Sequence, residues 1–331
     1  MKRVIITGAT GFVGANLARR LLHEGHEVHL LVRKEFAGWR VAEITNNVCI
    51  HEIDLSDLQM TTKVVGSIRA DWIFHLAAHG AYSSQTDLQE IFRTNVTGTI
   101  NLVEACLKTG FEALVNAGSS SEYGFKDHAP AENESIEPNS YYAVTKASAT
   151  LFCRYTAQRY RVHMPTLRLY SVYGPYEEPT RLMPTLIVRA LDEQLPSLVN
   201  ANTARDYVYV EDVTDAFLLA AAKSDAEFGA VYNVGSGVQT SLNEVVAIAR
   251  RMLNVAAEPV WETMPSRQWD TSIWVADNTK ARRSLNWQPR YTVEQGLQET
   301  TDWFIQHQDM LDRYRAELNA AAKFASTSLD G

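Results

Sequence analysis

Cysteine is scarce. The 331 residues contain three, Cys49, Cys106 and Cys153, with no short spacing between them. That excludes a disulfide framework and a paired-cysteine zinc site, and it fits a reducing compartment. No run approaches the ~20 apolar residues of a membrane-spanning helix. The apolar stretch after Met1-Lys2-Arg3 ends at Thr7. It is too short for a signal-peptide core, and no small-residue cleavage pattern follows it. A cytoplasmic protein without a membrane partner is the expectation. Basic runs are missing too: 31 Lys and Arg stand against 39 Asp and Glu, for a formal net charge of −8. Without basic runs or aromatic-basic interleaving, a nucleic-acid polymer is a poor partner. An anionic small molecule stays open, because a few placed arginines can hold one. Internal repeats and Gly/Ser-rich linkers are absent, and nothing suggests a metal site.

What is present is alternation. Val4-Ile5-Ile6 reads as a strand, residues 14–23 as a helix with Leu17, Leu21 and Leu22 on one face, and residues 28–32 as a second strand. Further strands are expected at 72–76, 113–115, 166–169 and 207–210. Strands alternating with helices imply an α/β fold, a Rossmann-type doubly wound parallel sheet with helices on both faces. From about Tyr173 the pattern loosens, and Pro175, Pro179, Pro184 and Pro196 break it into loops and short helices. The expected division is a dinucleotide-binding domain over 1–172 with returning segments near 205–235, a smaller C-terminal lobe mainly over 173–320, and a tail over 321–331.

Residues 7–14, TGATGFVG, follow the first strand and open the first helix. Gly8, Gly11 and Gly14 suit a tight turn, close approach of backbone to a pyrophosphate, and close packing of helix on strand. Thr10, Phe12 and Val13 share the loop, whose helix N-terminus presents free N–H groups to phosphate. At the end of the second strand stand Arg33 and Lys34, with no carboxylate before Glu35. An acidic residue there would favour a ribose 2′-hydroxyl, and Arg favours a 2′-phosphate. NADP(H) is therefore expected over NAD(H), with Arg33 as chief contact and Lys34 or Arg40 as helpers. Asp54 and Leu55 are candidates for the adenine, balanced against a helix cap or loop role for Asp54. Leu76, Ala77 and Ala78 leave room for the diphosphate and ribose. His75 alone reads more readily as a packed histidine than as a catalyst.

Tyr142 and Lys146 are four residues apart on a helical stretch, so they share one face. An ammonium near a phenol favours phenolate and lowers its pKa, readying it for proton transfer. Tyr141 is one residue off that register. Ser119 follows the strand that ends at Val115, at the C-terminal end of a parallel strand where ligands bind in such folds.

Together these motifs resemble the extended short-chain dehydrogenase/reductases, in the nucleotide-sugar epimerase/dehydratase/reductase branch. The resemblance is carried by TGATGFVG (7–14), HLAA (75–78), Asn95 in TNVTGT, SSSEYG (119–124), YAVTK (142–146), LRLYSVYGP (167–175), RDYVYVEDV (205–213), YNVGSG (232–237) and DNTKARRSLNWQP (277–289). It implies catalysis by Ser119, Tyr142 and Lys146, with Tyr142 and Lys146 also touching the cofactor. It implies a nucleotide-sugar substrate contacted by Ser119, Ser120, Ser121, Arg205 and Arg267. Asp206 is expected to support the fold, and Asn233 and Gly235 to shape the cleft. Family dehydratases carry Asp-Glu after the serine, where this chain has Ser120-Ser121 with Glu122 shifted by one. Ser171 stands where relatives often have Asn. The reading that follows is an NADPH-dependent reductase of a nucleotide-linked 4-keto-6-deoxy sugar. An NAD-dependent 4-epimerase (or a dehydratase) is the alternative, and a non-catalytic cofactor-binding regulator the third. A homodimer is implied, with Phe92, Leu102, Leu151, Phe152 and Tyr155 as candidate surface.

Overall fold

The computed structural model describes residues 1–82, 84–223, 227–263 and 273–327. The chain runs β1 (Arg3–Thr7), α1 (Phe12–His23), β2 (Glu27–Val32), a 3₁₀ segment (Gly38–Asn47), β3 (Cys49–Glu52), α2 (Leu58–Ile68) and β4 (Trp72–His75). Then come α3 (Leu88–Phe92), a π turn (Arg93–Thr97), α4 (Gly98–Thr109), β5 (Ala113–Ser119), a 3₁₀ turn (Ser120–Tyr123), α5 (Tyr141–Tyr160), β6 (Thr166–Leu169) and β7 (Ser171–Tyr173). The remainder is α6 (Leu182–Leu191), β8 (Ala204–Tyr209), α7 (Val210–Ala222), β9 (Val231–Val234), β10 (Gln239–Ser241), α8 (Leu242–Leu253), α9 (Thr279–Leu285), α10 (Val293–Gln306) and α11 (Gln308–Thr327).

Seven parallel strands form the main sheet in the order β3-β2-β1-β4-β5-β6-β9. This is the Rossmann-type sheet expected from the alternation. Its strands are buried on both faces, so they read as continuous apolar runs. Side chains alternate across the sheet. Val4 and Ile6 pack with Leu17 and Leu21 of α1 and Phe217 of α7, whereas Ile5 and Ile73 pack with Leu102, Leu114 and Cys153 on the other side. Strand order reverses between β1 and β4, and a ligand crevice belongs at that switch point.

A second sheet, β10-β8-β7, joins a separate apolar cluster built from α6, α8, α10 and α11, with Leu186, Val245, Phe304 and Tyr314 at its centre. Segment 205–235 thus contributes to both sheets: β9 returns to the main one and β8 pairs in the small one. Pro184, expected to break the chain, sits in the first turn of α6. There its missing N–H has no intrahelical partner to lose. Leu102, a candidate interface residue, is fully buried in the core and cannot form a surface; Phe92, Leu151 and Tyr155 are exposed. Among the described residues, no helix is long and apolar enough to cross a membrane.

Candidate functional site

The glycine loop closes the switch point. Gly8 has φ +70°, and a Cβ there would lie 2.5 Å from the Ala77 backbone nitrogen. A Cβ on Gly14 would lie 2.3 Å from the Gly8 carbonyl oxygen. The β1–α1 turn, the end of β4 and the start of α1 therefore meet backbone to backbone. Gly11 is the N-cap of α1 and supplies no side chain to the first amide groups. Those groups are left for another acceptor, and a pyrophosphate fits the requirement. Thr10, Phe12, Val13, Leu76 and Ala77 keep partial exposure around the turn, and Ala78 is exposed. The residues present accordingly fit a dinucleotide.

The end of β2 is less basic than the sequence implied. Arg33 and Lys34 are exposed at the end of β2. Arg33 Nη1, however, donates to Glu90 Oε1 at 2.8 Å, and Glu90 also pairs with Arg93 at 2.6 Å. A carboxylate absent from the local sequence is thus delivered by α3. Arg40 cannot help: it is buried, bonding the Tyr176 carbonyl at 2.7 Å and Glu178 at 2.9 Å. Asp54 accepts from the Ser56 amide at 2.9 Å and lies 3.5 Å from Arg93. Burial opposes its charge, but the Ser56 hydrogen bonds and the two arginines hold its carboxyl below the usual range. Leu55, beside it, is half-buried against the core that α4 shares.

His75 is a packed residue. Its ring bonds Thr7 Oγ1 at 2.7 Å and Thr99 Oγ1 at 2.8 Å. Burial, aided by the Lys146 charge, pushes it down to about 3. It therefore stays neutral and ties β1, β4 and α4 together.

Ser119, Tyr142 and Lys146 converge where β5 ends and α5 begins. Ser119 is the N-cap of the 3₁₀ turn, and its hydroxyl lies 2.7 Å from that of Ser121. Ser140 caps α5 by accepting from the Ala143 amide at 3.1 Å, which sets Tyr142 in the first turn. Burial pushes the Tyr142 phenol up to about 12, partly opposed by the Ser119 side chain and by the Arg181 charge. The expected depression by Lys146 is not what the protein groups produce. Lys146 is buried, and its ammonium interacts instead with Glu122, Cys153 and His75, while burial holds it below its usual range. Tyr141, off the register, is exposed.

Asn95, on the π turn, holds this helix in place. It accepts from the His79 amide at 2.7 Å and donates to the His79 carbonyl at 2.8 Å and to Thr145 Oγ1 at 2.9 Å. A π turn in a helix is frequent at functional sites.

Glu122 was legible only as a displaced acid. It is fully buried, accepting from the Ser119 amide at 2.8 Å, Thr150 Oγ1 at 3.0 Å and Arg168 Nε at 2.9 Å. Ser119 and Glu122 form a reciprocal capping box. The S-x-x-E spacing is its sequence signal. Ser120 is buried and Ser121 half-buried.

In the second lobe, Arg205 on β8 stacks over Trp274, 5.5 Å from its ring centroid. Arg267 lies outside the described residues. Asp206 accepts from the Ser236, Gly237 and Ala276 amides, as a fold-supporting residue should. Asn233 donates to the Pro130 and Asp277 carbonyls and accepts from the Tyr123 hydroxyl. Gly235 leaves no space for a Cβ beside Ala276 and Asp206.

The UDP-glucose 4-epimerase of Mycolicibacterium smegmatis is 30% identical over 316 residues, 91% of this chain and 98% of that protein. The crystal structure of UDP-glucose 4-epimerase from Thermotoga maritima, with UDP-glucose, superposes with a TM-score of 0.83 at 27% identity, over 92% of this chain and 98% of that one. That of UDP-glucuronic acid 4-epimerase from Bacillus cereus, with UDP-glucuronic acid and NAD, gives 0.81 at 25% identity, over 92% and 99%. Residues 4–235 match the family model, and the chain belongs to the NAD dependent epimerase/dehydratase family.

Proposed function

We propose that this chain is an NAD-dependent 4-epimerase of a nucleotide-linked sugar. The observation that carries the reading is the engagement of Glu122. A dehydratase needs a free carboxylate beside the serine, and this one is sealed beneath Ser119 by three donors. At the cleft stand a phenol, a serine hydroxyl and a buried ammonium, a set sufficient for moving one proton at a sugar hydroxyl. A bound nicotinamide supplies the hydride acceptor and donor. Tyr142, as the phenolate that the positive charge of a bound oxidised nicotinamide would favour, would take the proton of the sugar 4-hydroxyl and later return it to the same oxygen. Ser119 hydrogen-bonds the same oxygen. Lys146 positions the cofactor ribose. Gly8, Gly11 and Gly14 seat the pyrophosphate; Arg205 and Arg267 hold the substrate diphosphate. In this reading residues 1–172 with β9 carry the dinucleotide, most of 173–320 carries the nucleotide sugar, and the exposed Phe92, Leu151 and Tyr155 contribute to a homodimer.

Arg33 and Lys34 favour a second reading, NADPH-dependent reduction of a 4-keto-6-deoxy sugar. Glu90 beside Arg33 weighs against it, since a carboxylate repels a 2′-phosphate. Incubation with UDP-glucose and a catalytic amount of NAD separates the two. Formation of the 4-epimer without net NADH is expected. Stoichiometric NADPH oxidation by a keto sugar, with no isomerisation, would overturn the epimerase assignment.

A further inference from the structure

Three groups with no part in the chemistry above are linked to the Tyr142 phenol, two directly and the third through them: Tyr82, Arg181 and Glu177. Tyr82 and Arg181 both act electrostatically on the phenol, and Glu177 acts on Tyr82 and is acted on by Arg181.

Glu177 lies on the loop between β7 and α6, and that loop is held from several sides. Arg40 donates to the Tyr176 carbonyl and to Glu178, Asn16 donates to the Pro175 carbonyl at 2.9 Å, and Tyr314 donates to the Glu177 carbonyl. Tyr176 is held at φ +69°, a conformation that a bulky residue adopts only when its surroundings enforce it. The backbone is thus over-determined; the Glu177 carboxyl is hydrogen-bonded by the Gly174 backbone, yet one of its oxygens is left without a match. Its Oε2 is buried with no hydrogen-bond partner, in a residue only 6% exposed. Arg181 Nε is 3.8 Å from Oε1, too far for a hydrogen bond. Arg40 is already used by Tyr176 and Glu178. Buried carboxyl oxygens in native proteins nearly always have a partner, so the missing one here calls for a ligand.

The groups facing Glu177 are Arg181 and Glu178 on its own loop, Arg40 on the 3₁₀ segment, Tyr82 on the loop after β4, Tyr173 on β7 and Tyr314 on α11. Burial pushes its carboxyl up to about 8. Near neutrality it is mainly protonated, able both to donate and to accept, as a hydroxyl partner requires.

We propose that Glu177 is a specificity residue for the sugar, hydrogen-bonding a hydroxyl that sits between its carboxyl and the Arg181 guanidinium, alongside Tyr142. This rests on the nucleotide-sugar reading above. Calorimetric titration with NAD present tests it, using UDP-, dTDP-, GDP- and CDP-glucose and the matching nucleoside diphosphates as probes. Glu177→Ala should weaken the nucleotide glucose that the wild type binds by about tenfold, the size of one lost buried hydrogen bond, and leave the matching diphosphate unchanged. Glu177→Gln, which keeps a donor and an acceptor, should retain most of the affinity. Unchanged sugar binding in Glu177→Ala, or equal weakening of sugar and diphosphate, overturns the proposal. Should Glu177→Ala fail to fold, Arg181→Met removes the other half of the pair; it should give the same selective loss, and unaltered sugar binding overturns the proposal. Failure of the wild type to bind any of the eight probes sinks the nucleotide-sugar reading itself, and this inference with it.

Discussion

Replacing Glu122 with Ala separates a structural carboxylate from a chemical one. The side chain accepts from the Ser119 amide, Thr150 Oγ1 and Arg168 Nε, and neither it nor Arg168 is more than 4% exposed. Removing one member of a buried ion pair leaves the other charged and unmatched, at about 3–5 kcal/mol. With a urea m-value of about 3 kcal/mol/M for a chain of this size, the midpoint should fall by about 1–1.7 M. The double replacement Glu122→Leu with Arg168→Met removes both charges. Since a buried pair and a packed apolar pair have similar stability, it should recover most of that loss. Urea unfolding followed by fluorescence, on the wild type, Glu122→Leu, Arg168→Met and the double, gives the full cycle. The coupling should be several kcal/mol, because the two residues act as one unit. The reasoning is refuted if Glu122→Ala keeps the wild-type midpoint while losing turnover, for then the carboxylate would be doing chemistry.

Two further outcomes follow from the same geometry. Gly14→Ala places a Cβ 2.3 Å from the Gly8 carbonyl oxygen, backbone that cannot swing away. The variant should lose at least about 1–3 kcal/mol of stability and bind NAD much more weakly by fluorescence quenching; wild-type affinity would show that the turn does not seat the cofactor. His75 supplies a pH dependence. Its imidazole is held at about 3 in the folded protein against an ordinary 6.5, so the unfolded chain takes up a proton that the folded one refuses. This contribution to stability is complete above pH 6.5 and is lost as pH falls toward 3, with about 2 kcal/mol gone by pH 5. Urea midpoints at pH 7 and pH 5 should differ more in the wild type than in His75→Gln, and superimposable pH profiles would contradict the buried neutral ring.

Local constraints were readable from the sequence alone. The spacing of Gly8, Gly11 and Gly14 marks a turn whose requirement is steric and short-range, and the structure shows backbone contacts at Gly8 and Gly14. The four-residue step from Tyr142 to Lys146 reflects helix geometry, and alternating apolar runs with helical patterns imply a parallel sheet. Several assignments needed the folded chain, because their partners are distant in sequence. Glu90 reaches Arg33 across 57 residues, so the basic end of β2 looked unopposed. Two of the three partners of Glu122 are 28 and 46 residues away, which is why a buried cap read as a misplaced acid. The strand expected at 207–210 is grouped with the dinucleotide-binding domain and none is expected at 231–234, yet β9 joins the main sheet and β8 does not. Strand pairing is decided by neighbours that local pattern cannot name, and the charge around a buried group by whatever side chains tertiary packing brings to it.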